Sequence, residues 1–195
     1  DGSVESWVSL VEGAAAFAQL SEKPQLISDT VFAAAPSGVD GLRQLIQFAR
    51  YLLENGFKNS FLVRGAITFG PYHWGRLTYG KAVISAHEIE MSQDWIGVTC
   101  GDIPDADECW GATGLVCYPP PLKEGLIKLH PVVVWSVPDS KDLVSGSTNF
   151  PLTVRGEALK WPWRRRLRNT LDFRQYLLTL SAGNANWATF QGAAL

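Results

Sequence analysis

Residues 26–35 read LISDTVFAAA and residues 61–90 read FLVRGAITFGPYHWGRLTYGKAVISAHEIE. The first piece is two short apolar runs separated by Ser28-Asp29, the pattern of a β-hairpin with an acidic residue at its turn. The second begins within Ser60–Phe69, SFLVRGAITF, an almost unbroken apolar run of the kind a central strand covered on both faces requires. Its one charge is Arg64. A Gly- and aromatic-rich loop, GPYHWGRLTYG, then leads to a helix expected from about Lys81 to Ser92. Between the two pieces, Leu42, Leu45, Ile46, Ala49, Leu52 and Leu53 fall on one helical face. Asp40 is placed to cap that helix and Gly56 to end it.

Working outward, residues 4–20 space Val4, Trp7, Val8, Val11, Ala14, Ala15 and Leu20 close to one face and predict an N-terminal helix. Residues 95–100, WIGVTC, predict a further strand. Residues 101–125, with Pro119 to Pro121, read as an irregular excursion. The chain returns as a strand over Leu129–Val137, with Pro131 near its start, where a missing donor is tolerable. Residues 140–149 read as a polar surface loop. From Lys160, KWPWRRRLRNTLDFRQYLLTL predicts a short edge segment followed by a helix. No internal repeat is visible.

The 195 residues suit a single domain spanning 1–195 with a sizeable core. A net charge of -2 and a pI near 5.9 give no electrostatic footprint for nucleic acid. No apolar run approaches the ~20 residues that span a bilayer, and the N-terminus has no basic region followed by an apolar core. Cys100, Cys109 and Cys117 cannot all pair with one another and lack zinc-site spacing, so they read as reduced thiols of a cytoplasmic protein.

Asp29 has two readings. A carboxylate in a Ser-Asp turn bonds its own backbone, or it is a ligand for a hard cation such as Mg2+, whose remaining ligands substrate phosphates supply. Arg64 needs a partner if buried; that partner is a helix carboxylate such as Glu90, or the charge belongs to a site. Gly75–Lys81, GRLTYGK, falls short of a phosphate-cradling G-x-x-x-x-G-K-[ST] loop, and Ala82 has no hydroxyl to offer a metal. Lys81 in the first turn of a helix can still meet phosphate. His73, His87 and His130 suggest no cluster. Arg164, Arg165, Arg166 and Arg168, flanked by Trp161 and Trp163, read as a solvated helix start, with a nucleotide-facing or anion-facing surface as the other reading.

The order of hairpin with Asp at the turn, helix, Arg64-Gly65-Ala66-Ile67 strand and a helix carrying Gly80, Ala82, Ala86 and Glu90 resembles the class III nucleotidyl cyclase domain. Within that superfamily it is most similar to the bacterial pyrimidine cyclases of the Pycsar antiphage system. Ser28-Asp29-Thr30, Val137-Pro138 and Leu159-Lys160-Trp161-Pro162 extend the resemblance over most of residues 20 to 165. It implies an α/β (α+β) fold with a ferredoxin-like sheet flanked by helices, a head-to-tail homodimer, and a nucleotide held between subunits. It implies two carboxylates binding Mg2+ or Mn2+, with Asp29 matching the second; Asp29 and Arg64 as catalytic groups; and Gln25, Thr30, Tyr79 and Lys81 as nucleotide-binding positions. Three places depart from the wider superfamily. The strand that bears the first carboxylate is missing, since Asp1-Gly2-Ser3-Val4 does not match it. Ile84 and Glu88 stand where purine cyclases carry Asn and Arg. Gln25 stands where adenylyl cyclases carry a base-reading lysine; its amide can donate and accept to a pyrimidine edge.

The expectation is therefore a uridylate or cytidylate cyclase that acts on UTP or CTP, releases pyrophosphate, and makes a cyclic nucleotide that activates a separate effector in antiphage defence. A non-catalytic nucleotide-binding or dimerisation module of the same fold is the alternative, and a purine cyclase comes third.

Overall fold

The computed structural model describes residues 2–111, 114–123, 129–137, 153–154, 157–158 and 161–182. Within them four helices and several small sheets make an α+β architecture. Helix α1 spans Gly2–Ala18, close to the expected bounds. Strands β1 (Gln25–Ile27) and β2 (Thr30–Phe32) form the antiparallel hairpin, with Ile27 opposite Thr30. Ser28 takes φ 59° to close the two-residue turn, a left-handed conformation that costs a serine some strain.

Helix α2, Val39–Lys58, differs from expectation at both ends. Gly38 is its N-cap, and Asp40 instead pairs with Arg43 at 3.2 Å. Gly56 does not end it; the helix continues to Lys58, and Asn59 closes it with its amide on the Asn55 carbonyl at 2.7 Å. Gly56 is buried because the chain turns back across it, with a Cβ there only 3.1 Å from the Phe61 carbonyl. Close approach, not termination, selects this glycine.

The main sheet is four-stranded, in the order β3 (Arg64–Ile67), β6 (Gly97–Cys100), β8 (His130–Val133), β7 (Leu115–Tyr118). β3 runs parallel to β6, and the other pairs are antiparallel. Two expectations are corrected here. The run 60–69 is not a central strand: only Arg64–Ile67 pairs, it lies at the sheet's edge, and of its four residues only Ile67 is fully buried. Part of the 101–125 excursion belongs to the core, since β7 lies within it and Leu115 and Val116 are buried. A 3-10 turn, Ala106–Cys109, precedes it. The strand expected over 129–137 contracts to His130–Val133, and Pro131 leaves the β6–β8 ladder resting on Thr99 opposite Val132.

The loop 70–80 folds into a two-stranded ribbon, β4 (Tyr72–His73) with β5 (Tyr79–Gly80). It runs directly into α3, Lys81–Ser92, which has the expected bounds. A small ribbon, β9 (Thr153–Val154) with β10 (Glu157–Ala158), is antiparallel. Helix α4 runs Trp161–Ala182, so Trp161 opens a helix instead of an edge segment. The polar loop expected at 140–149 lies outside the described residues.

α2 joins two apolar clusters. Ile46, Leu53 and Phe57 pack with the sheet, Trp95, Trp135 and α4's Phe173. Phe48 and Leu52 pack with α1's Leu10, Val11 and Ala14. No helix among the described residues is long and apolar enough to cross a membrane.

α2 is also pinned to the strand β8 side by Glu54, whose Oε1 accepts the Ser136 N–H and the Arg50 Nε–H, each at 3.0 Å. Burial pushes this carboxyl's pKa up, but the Ser136 and Arg50 hydrogen bonds and the Arg50 charge outweigh it and leave the pKa lowered. A lowered folded-state pKa stabilises the fold fully above the unfolded carboxylate range, and that contribution is lost as pH falls through the folded value. Glu54→Gln is therefore expected to cost about 1 kcal/mol at pH 7. The difference from wild type should shrink toward pH 3, which urea midpoints at the two pH values check.

Candidate functional site

The described residues enclose an open groove of about 1780 Å3. The β1–β2 turn, β2 and the link that follows it form one wall, β3 and α3 the other, and Trp163 and Arg166 of α4 also line it. Ser28, Asp29 and Thr30 come from the turn, Arg64 and Thr68 from the β3 strand and its extension, and Glu90 from α3.

Asp29, Thr30 and Arg64 thus share one recess. Gln25, Tyr79 and Lys81 are not among its lining residues. Gln25 has both ends of its amide engaged: Nε2 donates to the Gly75 carbonyl at 2.8 Å and Oε1 accepts from the Thr78 hydroxyl at 2.5 Å. It ties the first hairpin to the β4–β5 ribbon. Tyr79 is exposed and stacks on His73 at 4.9 Å. Lys81 is exposed at the first residue of α3, directly after Gly80. Gly80 is required there: its φ is 140°, and a Cβ would lie 2.6 Å from Pro71 O and Tyr72 Cα. Since residues 75–81 form a ribbon and helix start, they make no phosphate-cradling loop. Ile84 and Glu88 are exposed on α3 and do not line the groove.

Arg64 takes the helix carboxylate that its sequence context allowed. Its Nε and Nη2 bind Glu90 Oε1, and Nη1 donates to the Gln93 carbonyl at 2.9 Å. The side chains are 14% and 26% exposed, so each largely neutralises a charge that burial would otherwise penalise.

Residues that pattern reading did not single out lie behind this wall. Gln93 is 0% exposed, and its whole amide is satisfied. Nε2 donates to the Gly65 carbonyl at 3.0 Å and the Ile89 carbonyl at 3.1 Å. Oε1 accepts the Trp95 indole N–H at 2.6 Å and the Thr99 hydroxyl at 2.7 Å. The next residue, Asp94, is also buried and meets both Arg165 and Arg166. The arginine run is thus not simply a solvated helix start: Arg165 is half exposed, but Arg166 is only 16% exposed and lies over the Trp163 ring at 4.5 Å. The signal in the sequence was the polar pair Gln93-Asp94 wedged between a helix and an apolar strand, where an unpartnered polar group is costly.

The expected Mg2+ or Mn2+ chemistry calls for two carboxylates. Asp29 is exposed on the groove, and among the described residues no group of three His, Cys, Asp or Glu side chains could hold a metal ion. Cys100, Cys109 and Cys117 are free thiols; burial pushes all three pKa values up, so none is an activated thiolate. Comparison with protein-family models, with curated proteins and with solved structures finds nothing that matches this chain.

Replacing Gln93 by Leu keeps the volume but strips partners from the Trp95 indole N–H and the Thr99 hydroxyl, both buried. The loss should be about 2–4 kcal/mol, read as a lower urea midpoint at unchanged m-value.

Proposed function

We propose that the chain is a pyrimidine nucleotide cyclase domain with a ferredoxin-like, class III cyclase arrangement. The 3′-hydroxyl of UTP or CTP attacks the α-phosphorus, the new bond closes a 3′,5′-cyclic phosphodiester, and pyrophosphate leaves with the electron pair of the broken bond. The observation that carries this reading is the meeting of the turn carboxylate Asp29 with the Arg64–Glu90 wall in one recess large enough for a nucleotide. These are two separate pieces of the sequence pattern, and only a fold could bring them to a common groove.

In this reading Asp29 would supply one of the carboxylates that hold the Mg2+ or Mn2+ the reaction requires. Arg64 holds the strand edge and Glu90 in place below the nucleotide, and Thr30 offers a hydroxyl beside Asp29 for the phosphates. Exposed Ile84 and Glu88 leave no purine-type contact at those positions, which favours a pyrimidine. A homodimer would close the open side of the groove. A cytoplasmic setting and an effector activated by the cyclic product follow from the same resemblance. The second reading, a non-catalytic nucleotide-binding module, is favoured by the absence, among the described residues, of any group of three or more His, Cys, Asp or Glu side chains that could hold a metal.

Product analysis with UTP, CTP, ATP and GTP supplied separately in Mn2+ separates the two. The cyclase reading expects a cyclic pyrimidine nucleotide that disappears in Asp29→Ala, with a fall of at least ~100-fold in rate, the order expected when a metal ligand is removed. Binding of a nucleotide without release of pyrophosphate from any of the four would establish the module reading instead.

A further inference from the structure

Beside one wall of the groove, which Asp29 and Asp105 also line, guanidiniums outnumber the carboxylates they pair with. Glu90 pairs with Arg64, while Asp94 is shared between Arg165 and Arg166. Three guanidiniums therefore meet two carboxylates. The unsatisfied one is Arg166. Its closest approach to Asp94 is Nε to Oδ1 at 3.5 Å, an ion-pair distance too long for a sound hydrogen bond. That Nε is buried and has no hydrogen-bond partner among the described residues. A guanidinium 84% withdrawn from water, with its Nε left without a hydrogen bond, is an uncommon arrangement, because buried charge is normally paired and bonded.

We propose that Arg166, with Trp163 beneath it and Arg64 as its neighbour in the same recess, is a binding site for a phosphate-type oxyanion. Trp163 holds the guanidinium by a cation–π contact at 4.5 Å, and both residues line the groove. Arg64 adds positive field, but two of its nitrogens are already engaged by Glu90 and a third by the Gln93 carbonyl. Arg166 is therefore the donor and Arg64 the supporting charge. A tetrahedral oxyanion suits this better than a carboxylate, since its oxygens can take a fork from one side and a second cation from another. Consistent with crowded positive charge, burial and the Arg64 charge lower the Arg166 pKa, against the opposing pull of Asp94 and Glu90. The inference does not rest on the cyclase reading: it concerns binding alone and names a residue absent from the pattern that led to that reading.

The test is calorimetric titration of the full chain, without metal, with inorganic phosphate, pyrophosphate and, as a carboxylate control, succinate. Saturable binding of pyrophosphate or phosphate is expected, weakened about tenfold or more in Arg166→Gln, the loss of roughly one charge-assisted hydrogen bond. Asp94→Asn removes the internal competitor and should tighten binding. Should Arg166→Gln fail to fold by circular dichroism, Arg166→Lys serves in its place: it keeps the charge without the fork and is expected to bind pyrophosphate more weakly than wild type. Absence of saturable binding by either phosphate species overturns the site, as does binding unchanged in a folded Arg166 variant. Succinate bound as tightly as pyrophosphate overturns the phosphate assignment. Because the readout is binding and not turnover, it stays interpretable if the chain proves to have no cyclase activity.

Discussion

The structure around the groove depends on the complete satisfaction of one buried amide. Gln93 sits where α3 ends and β6 approaches, and it bonds β3 through Gly65, α3 through Ile89, and the β6 segment through Trp95 and Thr99. Its own carbonyl receives Arg64. An apolar residue of the same size could fill the space but could not hold three elements in register, because the four contacts are directional. Arg64 and Glu90 can therefore meet across β3 and α3 only while that register holds. The polar seam beneath the groove is a structural device first, and any chemistry above it inherits its rigidity.

The groove itself follows from how α2 divides the core. One of its faces packs on the sheet and the other on α1, so the β1–β2 hairpin, associated with the α1 side, stands apart from β3. β1–β2 is a two-stranded unit and β3 ends the four-stranded sheet. Both β2 and β3 line the recess with an edge that no described strand covers. Strand edges present unpaired N–H and C=O groups that water or a ligand must satisfy. The recess is consequently polar in its backbone even where its side chains are Ala, Val and Leu, and that combination suits a ligand with both a ring and charged oxygens.

Much of this was legible in residue order and period. The hairpin with Asp29 at its turn, the long amphipathic α2 and the bounds of α3 follow from alternation, 3.6-residue spacing and glycine placement, all of which are local. Errors arose where tertiary contacts overrode local signals. SFLVRGAITF is apolar enough for a central strand, yet Phe61, Leu62 and Val63 spend their apolar surface on the packing of α1 and α2, leaving only four residues to pair. Pro119 to Pro121 made 101–125 look irregular and hid β7, which lies just before them. Gly56 looked like a stop signal because sequence cannot show that Phe61 crosses over it.

The candidate site shows the same limit more sharply. Sequence can flag a charge inside an apolar run, but it cannot show which charges neutralise one another. Arg64 drew attention because its neighbours are apolar, whereas Arg166 was hidden inside a run of arginines that looked solvated. In the fold the roles are exchanged: Arg64 is matched to Glu90 and Gln93, and Arg166 is withdrawn from water with a carboxylate it must share. A cation whose hydrogen bonds are already made costs energy to redirect toward a ligand, while one with a donor left unbonded costs less. The residue best able to respond to negative charge in this groove is therefore the one whose sequence context concealed it.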